Sequence, residues 1–310
     1  MRKLLSANFY AMSRSLRFWL GVFMMAATAV YAGVDARKML DMNVNNAIDA
    51  NALLFVPLLF LVLPALGALF INTDYHDGTI RNKITVGRSR TAVYLANLIS
   101  VYLSGLFYMA VYTVIFLPLS MALGCGLSDP RAYAAKLALL MLVFLSLAAV
   151  AVLLASLIAS RSVLVVCAFL AFTLMFGSAA LNVMLEEPQM IDDFDGVMMT
   201  TETDNDGRVI MQYTDSQGNP ISPEDMKTIP NPRYIPQPWR GVLRTVNDVQ
   251  PGGQMWEILQ NGHTDYTGSG SERLEITVQT PYWLIALYAL AVTLVSTAAG
   301  LALFSRKDIK

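Results

Sequence analysis

Six stretches of this chain are long, apolar and free of Asp, Glu, Lys, Arg and His: residues 18–34, 52–71, 92–123, 137–158, 163–185 and 282–304. The hydrocarbon core of a bilayer is about 30 Å thick and takes roughly 20 helical residues to cross. Helix is required because unpaired backbone groups are too costly in lipid. Each run is therefore expected to span a membrane. The fold class that follows is an all-α polytopic membrane protein with six transmembrane helices. A mixed α/β extracytoplasmic domain is expected between the fifth and sixth. Composition agrees, with 55% hydrophobic and only 15% charged residues, where a soluble domain carries about 25% charged.

The first run is the shortest, and Val30-Tyr31-Ala32 would suit a signal peptidase. Residues 1–17 argue for retention instead. Leu5, Phe9, Met12 and Leu16 recur at helical spacing, as in an amphipathic helix lying in the membrane interface before a retained span.

Charge sets the expected orientation. Arg2, Lys3, Arg14, Arg17, Arg81, Lys83, Arg88, Arg90, Arg161, Arg306, Lys307 and Lys310 all fall on one side of the six runs. Only Asp74, Asp77 and Asp308 oppose them there. The other short loops hold only Arg37, Lys38, Arg131 and Lys136. Positive residues stay inside, so both termini are expected in the cytoplasm of a multi-pass plasma-membrane protein.

Residues 18–185 thus carry spans one to five, and 281–310 hold the sixth span with a cytoplasmic tail. Between them lies a hydrophilic segment, 186–280, long enough for a small extracytoplasmic domain. Residues 208–213 and 274–278 read as strands, and 215–220 as a turn cluster. Residues 242–249 read as a short helix broken at Pro251-Gly252-Gly253. Asp204-Asn205-Asp206-Gly207 resembles the start of a calcium loop but lacks the later Glu, and reads better as a hairpin turn. Cys125 and Cys167 lie in or beside apolar runs, so neither a disulfide framework nor a cysteine metal site is expected.

The loop after the second run, 72–91, is the most informative. It mixes Asp74, His76, Asp77, Gly78, Thr79, Arg81, Lys83, Gly87 and Arg90 within a short span. The positive-inside rule explains the cations but not the acids before Gly78-Thr79. A short helix capped by Thr79 and running to Thr85 is expected, with Gly78 allowing the turn into it and Gly87 the turn out. The pattern Asp74…Gly78-Thr79…Gly87-Arg88-Ser89-Arg90 resembles the permease subunits of the bacterial type-2 ABC exporter family. Asn231-Pro232-Arg233-Tyr234 and Pro251-Gly252-Gly253-Gln254 add to the resemblance, which covers most of the chain. The chain departs from the family at three places. Asp74 stands where Glu is frequent, Gly87 where Pro is frequent, and Asn97 where Lys is frequent.

The resemblance implies an exporter permease whose loop 72–91 docks onto a separate cytoplasmic nucleotide-binding subunit. ATP and Mg belong to that subunit, and this chain binds no cofactor itself. No Gly-x-x-x-x-Gly-Lys-Ser/Thr motif occurs in the sequence, which fits an ATPase supplied by a partner. A second permease copy or a related permease is implied as dimer partner, with no nucleic acid. The implied cargo is an amphipathic molecule of peptide or lipid-like chemistry.

Enzymatic chemistry at membrane depth is not expected. The only histidines are His76 and His263, both outside the apolar runs, and no acid lies inside one. Tyr102, Tyr108, Tyr112 and Asn182 are the polar side chains within spans that suit a substrate path, although interfacial or core placement is the commoner role of such tyrosines. A receptor or immunity protein that senses a ligand through 186–280 is the rival reading.

Overall fold

The structure is a computed structural model. It describes residues 1–42, 47–158, 160, 162–193, 195, 197–203, 209–215, 217, 219–221, 227–267 and 274–307. Arg161, Asp308 and Lys310 of the charge pattern, Arg208 and the Asp204–Gly207 turn lie outside those residues. The chain divides into two compact units. One holds Met1–Ala179, Val246–Asn261 and Thr280–Lys310; the other holds Ala180–Thr245 and Gly262–Gln279.

In the first unit, α1 (Arg2–Ser13) turns at Ser15 into α2 (Leu16–Asp41). A short α3 (Ala47–Ala52) leads to α4 (Phe55–His76), and α5 (Thr79–Thr85) precedes α6 (Arg90–Ala122). Then come α7 (Pro130–Leu157) and α8 (Val163–Leu185); α9 (Trp239–Val249) and α10 (Pro251–Gln260) fall between the fifth and sixth strands, and α11 (Tyr282–Arg306) follows the last. Six of these helices, α2, α4, α6, α7, α8 and α11, are long and apolar enough to cross a membrane.

Local chemistry sets the helix ends. Ser89 Oγ accepts from the Ala92 N–H at the start of α6. Asp129 accepts from the Arg131 and Ala132 N–H groups at the start of α7, with Pro130 at the first helical position. Both are standard N-terminal stops. Pro64 and Pro118 sit inside α4 and α6 without ending them.

Helix α7 is the hub, packing on α4, α6, α10 and α11. Leu140, Val143, Phe144, Ala148 and Val152 are buried there. Ala151 and Ala155 are buried as well, and the Cys167 thiol of α8 lies 4.0 Å from the Ala151 carbonyl. The small residues of α7 thus admit a neighbour from the same chain; Ala159, which continues the four-residue spacing of Ala151 and Ala155 in the sequence, is outside the described residues.

The apolar runs read from sequence end too early at several places. α2 continues through Asp35, Arg37 and Lys38 to Asp41. α4 continues to His76, so residues 72–76 are helix rather than loop. Polar residues extend a helix wherever neighbours satisfy them, as Asp74 shows below.

Helix α10 departs most from the sequence reading, in which 186–280 is one hydrophilic segment. Pro251 occupies its first helical position, so the Pro-Gly-Gly triplet starts a helix directly after α9 instead of only ending one. Gly252 lies against the backbone carbonyl of Leu174, in the middle of α8. A Cβ there would collide with that carbonyl. Trp256 Nε1 donates to the Met175 carbonyl at 2.7 Å, and the Thr280 N–H donates to Glu257 at 3.0 Å. Residues 246–261 therefore belong with the membrane-length helices.

The second unit carries antiparallel strands. β1 (Met190–Asp192) pairs with β5 (Thr228–Pro230). β3 (Val209–Thr214) lies between β2 (Met198–Thr203) and β4 (Pro220–Ile221). β6 (His263–Thr267) pairs with β7 (Leu274–Val278). Asp215 accepts from the Gln217 and Asn219 N–H groups in the expected turn cluster, an Asx-type turn. Arg240 is buried in this unit, donating to the Glu187 carbonyl at 3.2 Å and lying 3.6 Å from Asp265. On the same helix Trp239, Val242 and Val246 are exposed, so α9 turns its apolar stripe outward and a charged side chain inward.

Candidate functional site

The segment 72–91 folds as the last turn of α4, a tight turn at Asp77-Gly78, the helix α5 and a second turn before α6. Helix α5 covers Thr79–Thr85, as the sequence suggested, but its start differs. Gly78 is the capping residue, at φ 66°, and no side chain caps the helix. A positive φ is the conformation that glycine adopts without steric cost. Gly87 follows at φ 84° and ends the segment in the same way.

One face of α5 is anchored. Ile80 is buried, and Lys83 Nζ lies 2.6 Å from the Asp74 carboxylate. Their side chains are only 13% and 12% exposed. Lys83 also donates to Asn8 Oδ1 of α1 at 3.1 Å. Asn8 is itself buried and donates to Asn97 Oδ1 and Ser100 Oγ of α6, both at 3.1 Å. A continuous polar chain thus joins α4, α5, α1 and α6. In low dielectric a fully satisfied network of this kind fixes a single arrangement of its elements.

The opposite face is open. His76, Asp77, Arg81, Asn82, Thr85 and Gly87 are exposed, and Val86 is 79% exposed. Arg90 points elsewhere: it donates to the Ser305 and Lys307 carbonyls at the end of α11, at 2.9 and 2.6 Å. Lys307 reaches the other way. Its ammonium donates to the carbonyls of Ser156 and Leu157 at the end of α7, at 2.8 and 3.0 Å, and lies 4.5 Å over the Tyr75 ring. Tyr75 donates to the Ser156 carbonyl at 2.8 Å. Burial pushes the Lys307 ammonium below its ordinary pKa, while the helix-end carbonyls favour its charge.

No family model matches this chain, and a search of curated proteins finds no match either.

Of the nine residues expected in the loop, Asp74 and Lys83 meet each other, Gly78 and Gly87 make the turns, and Arg90 binds the end of α11. His76, Asp77 and Arg81 face outward, and Thr79 opens α5 as its first residue. Asn8, Ser100 and Tyr75 were not singled out from the sequence, and Lys307 was read only as part of the basic charge that sets orientation. Asn8 carried a usable signal, being amide among the apolar positions of the first helix.

The tyrosines and Asn182 are not brought together. Tyr112 is buried and donates to the Asn51 carbonyl at 2.5 Å. Tyr108 is buried and donates to the Phe18 carbonyl at 3.1 Å. Both tie α6 to neighbouring elements. Tyr102 is partly buried against the core, and Asn182 is buried near the end of α8. Tyr108 borders a cavity of about 560 Å3 between the α1–α2 turn, α4 and α6, whose lining includes none of the other three.

Proposed function

We propose that this chain is the membrane permease subunit of an ATP-driven exporter, and that a separate nucleotide-binding subunit docks on residues 72–91. The observation that carries this reading is α5: a short helix pinned on one face to α4, α1 and α6, and presenting Arg81 and Asn82 on the other, with exposed His76 before it and Val86 after it. A push on the open face is transmitted to three helices at once, because the anchored face is held by an ion pair and hydrogen bonds. A loop without anchors would absorb the same push.

The pattern Asp74…Gly78-Thr79…Gly87-Arg88-Ser89-Arg90 supports the reading, as does the absence of a phosphate-binding loop in the sequence. The excess of basic residues on the 72–91 side supports a cytoplasmic placement. Rocking of helix bundles about a central site is the general route by which such a push gives alternating access. The cargo consistent with this is an amphipathic molecule of peptide or lipid-like chemistry.

The test is pull-down of the tagged full chain from its native membrane. An ATP-hydrolysing subunit is expected to co-purify with the parent protein and with Gln217→Ala. It is expected to be lost with Arg81→Glu combined with Val86→Asp, two exposed changes that leave the Asp74–Lys83 anchor intact. Failure of any ATPase to co-purify, or its retention by the double variant, rejects the reading.

A further inference from the structure

The cavity of about 560 Å3 runs from a polar, exposed mouth to a buried apolar end. Arg17, Thr73 and Asp77 border the mouth and are exposed. Met12, Leu63, Gly67, Val101 and Tyr108 line the far end and are buried. The volume falls within the range of small-molecule sites, roughly 300–1,000 Å3. A space with this gradient is complementary to an amphiphile, with its chain inside and its head group at the mouth.

The depth of the mouth is marked by its surroundings. Beside the α1–α2 turn, Tyr10 of α1 lies under Arg14 at 4.6 Å, and the indole of Trp19 in α2 donates to the Ser13 carbonyl at 2.7 Å. Aromatic and basic side chains gather at head-group level. Leu16, Trp19, Leu20 and Phe23 are exposed beyond it on α2, giving the mouth a lipid-facing flank.

Charge then selects the head group. Asp74 also borders the cavity, but Lys83 neutralises it at 2.6 Å. Arg17 donates to Thr73 Oγ1 at 2.9 Å across the mouth, and no carboxylate lies within ion-pair distance of its guanidinium among the described residues. Asp77 likewise has no ion-pair partner there. Among the described residues, the mouth thus offers one cation and one carboxylate without an ion-pair partner. Guanidinium binds phosphate with several donors in one plane, and a carboxylate attracts ammonium. An anionic head alone would meet Asp77, and a cationic head alone would meet Arg17.

We propose that this cavity is a binding site for a zwitterionic membrane phospholipid. One acyl chain enters between α4, α6 and the α1–α2 turn, the phosphate sits on Arg17, and the ammonium faces Asp77. The second chain stays in the surrounding leaflet. The site is a property of this chain alone and stands whether or not an ATPase docks on 72–91.

The experiment uses the full chain in lipid nanodiscs doped with a phosphatidylethanolamine carrying a photoactivatable diazirine on one acyl chain. The control is phosphatidylglycerol with the same chain, and labelled peptides are mapped by mass spectrometry. Phosphatidylethanolamine is expected to label residues 11–18 and 63–73 about tenfold above phosphatidylglycerol, the factor of one charge-assisted contact. Arg17→Ala is expected to lower that labelling about tenfold. Asp77→Asn should bring it down to the phosphatidylglycerol level. Ala11→Trp, which fills the cavity from α1, should abolish it. Arg17 and Asp77 are exposed, so their variants keep the test valid even if Ala11→Trp does not fold. Labelling spread evenly over the exposed faces of α8 and α11 overturns the proposal. So does equal labelling by both lipids, or labelling unchanged by Arg17→Ala and Asp77→Asn.

Discussion

Lys83 Nζ lies 2.6 Å from the Asp74 carboxylate, with both side chains almost wholly enclosed, and the pair ties the last turn of α4 to the short helix α5. Removing one member of such a pair leaves the other charged and unpaired, at a cost of about 3–5 kcal/mol; removing both is far milder. Asp74→Asn and Lys83→Met are each expected to lower the melting temperature strongly in detergent. The double variant should recover most of the loss. A double variant as unstable as the sum of the two singles would show that the pair does not act as a unit.

Lys307 fastens the end of α11 to the last carbonyls of α7. Lys307→Met is expected to cost about 1 kcal/mol and to speed amide exchange in Ala302–Arg306. Burial lowers this lysine below its ordinary value of 10.5. Just below that value the unfolded chain holds the proton and the folded chain has released it. Stability from this group therefore rises with pH across that window. Titrating the unfolding free energy between neutral pH and 10.5 should show the rise in the parent protein and its loss in Lys307→Met.

Gly252 has no room for a side chain, because the Leu174 carbonyl occupies the place of its Cβ. Gly252→Val is expected to cost at least about 3 kcal/mol or to prevent folding. Gly241→Ala is the matched control, since its new methyl would meet only the end of Gln237, at 3.2 Å. That control should shift stability by less than about 1 kcal/mol. Thermal unfolding of the two variants side by side reads the difference.

Orientation follows from labelling. In a background of Cys125→Ala and Cys167→Ala, a cysteine placed at Gln217 is expected to react with a membrane-impermeant maleimide on intact cells. A cysteine placed at Arg81 is expected to react only after permeabilisation. Both residues are exposed, so reactivity reports side rather than burial. The reverse pattern would invert the expected topology and overturn the proposal that residues 72–91 dock a cytoplasmic subunit.

The six membrane-length helices were legible because lipid imposes a long, uninterrupted apolar run, a demand no other part of a fold makes. The extent of α5 was legible for a similar reason, since Gly78 and Gly87 punctuate the chain locally. The polar chain Asp74–Lys83–Asn8–Asn97 was not. Asn8 and Asn97 are 89 residues apart, and nothing local to either names the other as partner. Pattern also left α9 undecided. Its alternation of Trp239, Val242 and Val246 with Arg240 marks an amphipathic helix, but not that the charged side is the buried one.

The sequence by itself determined the six membrane-length helices, the clustering of basic residues in alternate connections and the position of the short helix after α4. These rest on local composition, which each segment carries alone. Tertiary structure decided that Asp74 belongs to a helix and is paired, that α10 lies against the middle of α8, and that a cavity opens beside Arg17. Each of those depends on close approach between segments far apart in the chain. Such an approach becomes possible only where a missing Cβ, a matched charge or a buried amide permits it.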